Sequence, residues 1–279
     1  MSITSTDTGS LASSPYVMGR TPAEHRRLDR QAALLEPFTA ALLDRVGVPP
    51  GARCLDVGCG TGSVMALLAQ RAGVDGHVAG VDVDGPLGEA ALTALREAGH
   101  HRTRFVAGNV LDVSLEPAAF DVVYARLVLI HADDPLAVLR RMWQLTAPGG
   151  ALIVQDYDLR TAASEPPTWA LDEFHRVFCG TLSAHSRPLD AGLRLPRWFR
   201  EAGIGAPEGT SIDGILTTIE DLRWQLEAAY RSALPLAIDE GLTTLAGSDA
   251  WFAELAAMTP DHTILHPLLC SAFARKPRP

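Results

Sequence analysis

The sequence is short of several things, and each shortage closes a line of explanation. Basic residues are outnumbered: 24 Lys and Arg against 33 Asp and Glu leave a net charge of −9. A surface of that sign repels phosphate backbones and anionic lipid, so nucleic acid and membrane are excluded as main partners. No apolar run has the length needed to cross a bilayer, and the best stretch, 122–130, is interrupted by Arg126. The four cysteines, Cys54, Cys59, Cys179 and Cys270, form no C-x-x-C pair. They read as small buried hydrophobes in a reducing, cytoplasmic setting. Positions 1–14 are rich in Ser and Thr, lack the basic start and apolar core of a signal peptide, and read as a disordered tail.

What is present is a punctuated alternation. Thr21-Pro22 marks a helix start, with a helix to Glu36 that Pro37 bends or ends and a second piece before Gly47. After Pro49-Pro50-Gly51, short apolar runs alternate with helical stretches. Strands are expected at 53–57, 77–83, 103–110, 120–129 and 151–156, and helices at 63–72, 86–98 and 135–145. Repeated β-α units imply a parallel sheet covered on both faces. Beyond Asp158 the pattern is mainly helical: 168–182, 195–202 and 219–257, with breaks at Pro235 and Gly241. A strand at 209–218 and an alternating run ending at Arg275 are expected to close the sheet, the latter antiparallel.

The first strand ends in Asp56-Val57-Gly58-Cys59-Gly60-Thr61-Gly62. Glycines there let a ligand lie against the backbone, and the amides of the following helix N-terminus face the same space. Asp82 closes the second strand about 20 residues past Gly62, where a carboxylate can accept both hydroxyls of a ribose. A carboxylate capping the next helix is the plainer reading of the same position. A dinucleotide fingerprint fails, because its third glycine falls on Ser63.

The loop D-V-G-C-G-T-G resembles that of class I S-adenosylmethionine-dependent methyltransferases, specifically bacterial small-molecule ones. So do Val81-Asp82-Val83, Ala107-Gly108-Asn109-Val110 (Asn109 standing where Asp is usual), Phe120 to Arg126, and Ala147-Pro148-Gly149-Gly150. Tyr16-Val17-x-Gly19 with Glu24, Arg27-Leu28 and Gln31, and Leu195-Pro196 before Ala202-Gly203, are similar to the lid of that subgroup. The resemblance implies an α/β, doubly wound, mostly parallel, Rossmann-like seven-stranded sheet with N-terminal and C-terminal helical lids. It divides the chain into the tail (1–14), an N-terminal helical lid (15–50), the cofactor-binding core (51–158), a helical cap (159–208) and closing strands with inserted helices (209–279).

The implied cofactor is S-adenosyl-L-methionine, and the implied cofactor-binding residues are Tyr16, Gln31, Asp56, Gly58, Cys59, Gly60, Gly62, Asp82, Val83, Gly108, Asn109, Val110, Ala125 and Arg126. Asp56 either lies near the α-amino group or braces the loop. Asn109 offers an amide that both donates and accepts toward the adenine edge. The acceptor side is less specific. His131, Tyr157 and Glu173 are the candidate catalytic residues, with Asp156 and His175 nearby, and packing, capping or solvated roles weigh against each. The aromatics Trp169, Phe174, Phe178, Trp198, Trp224 and Tyr230 suggest an apolar acceptor pocket under a helical cap. Asp133-Asp134-Pro135 reads as a helix cap, so no metal is expected. The function expected is methyl transfer to a small, largely apolar acceptor, in a monomer or a homo-oligomer. A non-methyl-transfer enzyme on the same cofactor and a non-catalytic binding module are the alternatives.

Overall fold

A computed structural model describes residues 21–278. Helix α1 (Pro22–Val46) is capped by Thr21, whose side chain accepts from the Glu24 amide, and runs unbroken through Pro37. The break expected there does not occur. Proline removes one intrahelical hydrogen bond and costs roughly 3 kcal/mol, but Leu35, Thr39, Leu42, Leu43 and Val46 on both sides are buried, and their burial keeps the helix continuous. The same holds for Pro235 inside the later helix α7 (Ile219–Asp239), whereas the expected break at Gly241 is real.

The β-α alternation follows as read: β1 (Arg53–Val57), α2 (Ser63–Ala72), β2 (His77–Asp82), α3 (Gly85–Glu97), β3 (Thr103–Ala107), β4 (Phe120–Arg126), α4 (Pro135–Leu145) and β5 (Thr146–Asp158). Strand β3 stops at Gly108, which takes a φ of 141°, and β4 stops before Leu127 at φ 57°, so both are shorter than expected. Strand β5 is longer. Its pairing with β4 shifts register across the Pro148-Gly149-Gly150 turn, from Phe120–Thr146 to Val122–Ala151, and a Cβ on Gly150 would sit 2.8 Å from the Asp121 carbonyl.

The remainder comprises β6 (Ala163–Glu165), α5 (Trp169–Ala184), α6 (Ala191–Glu201), β7 (Gly209–Asp213), β8 (Leu216–Thr218), α7, α8 (Leu245–Ala257), β9 (Thr263–Leu265) and β10 (Leu268–Arg275). The main sheet is seven-stranded, in the order β3-β2-β1-β4-β5-β10-β7, parallel except for β10, which runs antiparallel to both neighbours. The single expected strand at 209–218 is two. Gly214 and Ile215 turn the chain out of the main sheet, and β8 joins β9 and β6 in a small antiparallel sheet. No pattern in the sequence marks those three-residue strands.

Strand order reverses between β1 and β4, so the connections from their carboxyl ends diverge to opposite sides and leave a crevice. One core fills each face of the sheet. A third core, centred on Tyr230 and Trp251, binds α5, α7 and α8 together above the crevice. Those two rings stack at 4.0 Å and 9°, and Trp251 Nε1 donates to the Ala170 carbonyl at 2.8 Å. Stacking of this kind adds about 0.5–1.5 kcal/mol beyond area burial, so the covering layer is a packed body. Helix α6 lies elsewhere. Its apolar face, with Leu195, Trp198 and Phe199, is buried against β5 and β10, which removes Leu195-Pro196 from the lid. Among the described residues no helix is long and apolar enough to cross a membrane.

Candidate functional site

The three loop glycines have φ values of 68°, 48° and 79°, a region costly for side chains bearing a Cβ. Their surroundings differ. A Cβ on Gly58 would come 2.5 Å from Val128 Cγ2, and one on Gly62 would come 3.0 Å from Ala91 on α3. Only Gly60 faces open space. Gly58 and Gly62 therefore serve close packing, and of the three only Gly60 leaves open space where a Cβ would stand. Gly58→Ala is expected to lower the melting temperature of the ligand-free protein by several degrees, as the strain and clash together cost about 2 kcal/mol or more. Gly60→Ala, with strain alone, should lower it less and act mainly on ligand affinity. Melting curves with and without ligand separate the two.

Asp82 organises the loop from the neighbouring strand. Its Oδ2 accepts from the Gly60 amide at 2.8 Å and its Oδ1 from the Asp84 amide at 2.9 Å. Asp84 in turn caps α3 through the Leu87 amide and holds His25 of α1 at 3.1 Å, tying the first helix to the rim. Asp56 lies beneath, buried, and its Oδ2 has no hydrogen-bond partner among the described residues. Burial pushes its carboxyl up to about 8, against the pull of Arg126 and with a further push from Asp82. Arg126 is itself pinned, donating to Thr39 Oγ1 at 2.9 Å and to Ser63 Oγ at 2.8 Å. Thr39 also donates to Gln155 Oε1, which accepts from Tyr124 OH as well, and Gln155 Nε2 donates to Ser271 Oγ. This buried chain anchors α1 to the sheet directly behind the loop.

These groups open into one cavity of about 480 Å³. At one end lie the glycine loop, Asp82, Val83 and the stretch 108–111. Val83 and Leu111 are large apolar side chains left 49% and 40% exposed, on opposite loops of the same opening. Asn109 Oδ1 accepts from the Leu111 amide at 3.0 Å, which fixes the side chain and leaves both amide hydrogens for a ligand. At the other end the walls are Leu171, Phe174 and Phe178 of α5, Leu222 and Leu226 of α7, and Ile264 of β9, with Leu28, Ala32 and Leu35 of α1 across from them.

Of the residues singled out from the sequence, Gln31, Asp56, Gly58, Cys59, Gly60, Asp82, Val83, Gly108, Asn109, Val110, Arg126, His131 and Tyr157 line this cavity. Gly62 and Ala125 do not: the first packs on α3 and the second is sealed in the core. Glu173 is held away by a two-pronged pair with Arg176, at 2.6 and 2.7 Å on α5. Tyr16 lies outside the described residues. Of the six aromatics, only Phe174 and Phe178 reach the cavity, stacked at 5.2 Å. Trp169 is half exposed, Trp198 lies on the buried face of α6, Trp224 lies beneath Arg30, and Tyr230 belongs to the third core. Asp134 caps α4 through the Ala137 amide, while Asp133 pairs with the buried Arg187 at 2.7 Å.

The polar groups away from the glycine loop come from segments distant in the chain. His131 rides on a short 3-10 turn (Leu129–His131), which Asp156 fixes by accepting from the Ile130 and Tyr157 amides. Burial, with Arg27 and Arg187 nearby, drives the His131 imidazole down to about 3, so it is neutral. Arg27 is bidentate to Glu24 and donates to Gln31 Oε1. Sequence reasoning missed Arg187, Gln225 and His266. Gln225 had a usable signal: it is a polar residue in the buried stripe Leu222–Gln225–Ala229 of α7.

Residues 55–154 match the family described as Methyltransferase domain. The chain is 38% identical over 156 residues to an uncharacterized methyltransferase of Mycobacterium bovis, spanning 53% of this chain and 74% of that protein. It is 27% identical over 172 residues to demethylmenaquinone methyltransferase of Listeria monocytogenes, spanning 56% of this chain and 71% of the relative. In fold it is similar to phosphoethanolamine N-methyltransferase 2 of Haemonchus contortus, solved with S-adenosyl-L-methionine. There the TM-score is 0.54 and the identity 19%, over 87% of this chain and 53% of the other.

Proposed function

The chain belongs to the S-adenosylmethionine-dependent methyltransferases, and from that premise we propose that it methylates a small, largely apolar acceptor enclosed between α1, α5 and α7. The observation that carries this is the single cavity joining the glycine loop to a wall of Leu and Phe side chains. A macromolecular acceptor needs an open face, and this one is roofed.

The residues at the loop end fit the cofactor. A buried carboxylate with a partnerless oxygen at Asp56 suits a cationic amino group. Gly60 leaves room against backbone, and the exposed Val83 and Leu111 suit the two faces of a flat ring. In this reading Asp82 receives the ribose hydroxyls while keeping the loop in shape, and the Asn109 amide hydrogens serve the adenine edge. The cofactor supplies an electrophilic methyl group on a sulfonium. The chain supplies alignment, which is worth about 7–11 kcal/mol in favourable cases, and exclusion of water by the packed roof. His131, neutral and poorly basic, is suited to orienting an acceptor rather than to holding a proton. A cytoplasmic setting belongs to the same reading, since the four cysteines are free.

Thermal denaturation with S-adenosylhomocysteine and with NAD tests the donor assignment. At about 100 times its Kd, S-adenosylhomocysteine should raise the melting temperature by about 5–10 °C. Stabilisation by NAD alone would refute it.

A further inference from the structure

Away from the glycine loop, the cavity holds a buried polar pair whose imidazole packs edge-on against Tyr157 at 5.2 Å. Gln225 of α7 is 9% exposed and His266, just after β9, is 5% exposed. Gln225 Nε2 and His266 Nε2 stand 3.0 Å apart, and His266 Nδ1 stands 3.2 Å from the Pro267 carbonyl. A carbonyl can only accept, so Nδ1 carries the hydrogen. The imidazole is neutral, since burial lowers it to about 4. Its Nε2 is therefore a bare acceptor, and the Gln225 amide must turn its NH₂ toward it. The opposite orientation would face two acceptors together. Gln225 Oε1 is thus fixed by its neighbour, fully buried, and without a hydrogen-bond partner among the described residues. The same cavity is lined by Leu222, Leu226, Leu171 and Ile264.

A buried acceptor left unpaired costs about 1–3 kcal/mol, which a bound molecule bearing a donor would recover. We propose that Gln225, oriented by His266, is the specificity-determining residue of the acceptor site, and that the acceptor is an apolar molecule presenting a hydroxyl or N–H group to Gln225 Oε1. This rests on the methyl-transfer reading and narrows it. A pure hydrocarbon, or a molecule carrying only carbonyl or ether oxygens at that end, is disfavoured.

The test uses the full chain loaded with S-adenosylhomocysteine, whose own calorimetric binding reports separately on the donor site. Two probes of equal shape, 2-naphthol and 2-methylnaphthalene, are then titrated. The wild type should bind the naphthol several-fold more tightly. In Gln225→Met that preference should be lost, the ratio of the two affinities falling several-fold to about one, with S-adenosylhomocysteine affinity unchanged. Equal affinities in the wild type, a ratio that survives the substitution, or failure of the loaded enzyme to take up either probe would overturn the proposal. The wild-type ratio decides the matter even if Gln225→Met does not fold. Loss of S-adenosylhomocysteine binding in the wild type would instead overturn the methyl-transfer reading itself.

Discussion

Binding of S-adenosylmethionine is expected to tighten as the pH rises from about 5 to about 8, by up to tenfold per unit, and to release a proton as it does so. The cause is Asp56. Burial holds its carboxyl at about 8, well above its ordinary range, so the ligand-free enzyme carries it protonated at neutral pH. A cationic amino group beside Oδ2 favours the carboxylate, and the proton must leave. The sign for folding is the reverse. A carboxyl that is harder to ionise in the native state than in the unfolded chain stabilises the fold fully at low pH, and that contribution is lost as the pH rises through about 8. Titration calorimetry in buffers of different ionisation enthalpy counts the protons. Asp56→Asn should bind more weakly, lose most of the pH slope and flatten this part of the stability profile. An unchanged slope in the variant would assign the proton elsewhere. His131 and His266 do not contribute in this window, being neutral throughout. Asp156, raised by burial to about 7, does titrate there. Its carboxyl accepts from the Ile130 amide of the turn carrying His131 and from the adjacent Tyr157 amide rather than from the loop, so the comparison of variants isolates Asp56.

Asp82→Ala is expected to reduce S-adenosylhomocysteine affinity on the order of 100-fold. Two losses combine. The ribose loses a charged acceptor, worth about 1.5–3 kcal/mol per hydrogen bond, and the Gly60 and Asp84 amides lose the carboxylate that sets the loop and the start of α3. Asp82→Asn should behave more like the alanine variant than like wild type. An amide has a single oxygen to serve both backbone donors, and its NH₂ would face the remaining N–H. Calorimetry on both variants, alongside melting curves, separates affinity from stability: the melting temperature should drop by a few degrees, as for the loss of about 1–3 kcal/mol. A full-strength complex with Asp82→Ala would leave the carboxylate a purely structural role.

Legibility followed the range of the interactions. The parallel core could be read because each element signals itself locally. Glycines mark left-handed turns, proline and aspartate mark helix starts, and short apolar runs mark buried strands. Helices α2 and α4 and strand β1 begin and end where the sequence implies. Prolines misled twice, because burial along α1 and α7 outweighs one missing hydrogen bond. The small sheet escaped notice, since three-residue strands have no period of their own and exist only by pairing.

The loop end of the cavity, where we place the methyl donor, was legible in the sequence alone. A loop of contiguous residues and a carboxylate one strand away are local features that survive without knowing the rest of the fold. Tertiary structure alone decided the other end, where we place the acceptor. Arg27, His131, Arg187, Gln225 and His266 are far apart in the chain and meet only because α5, α7 and α8 form a core of their own above the crevice. Which aromatics face the cavity, why Glu173 does not, and why Gln225 keeps a bare oxygen depend on how those helices rotate and pack. That rotation is fixed by contacts between distant residues, and no local pattern records it.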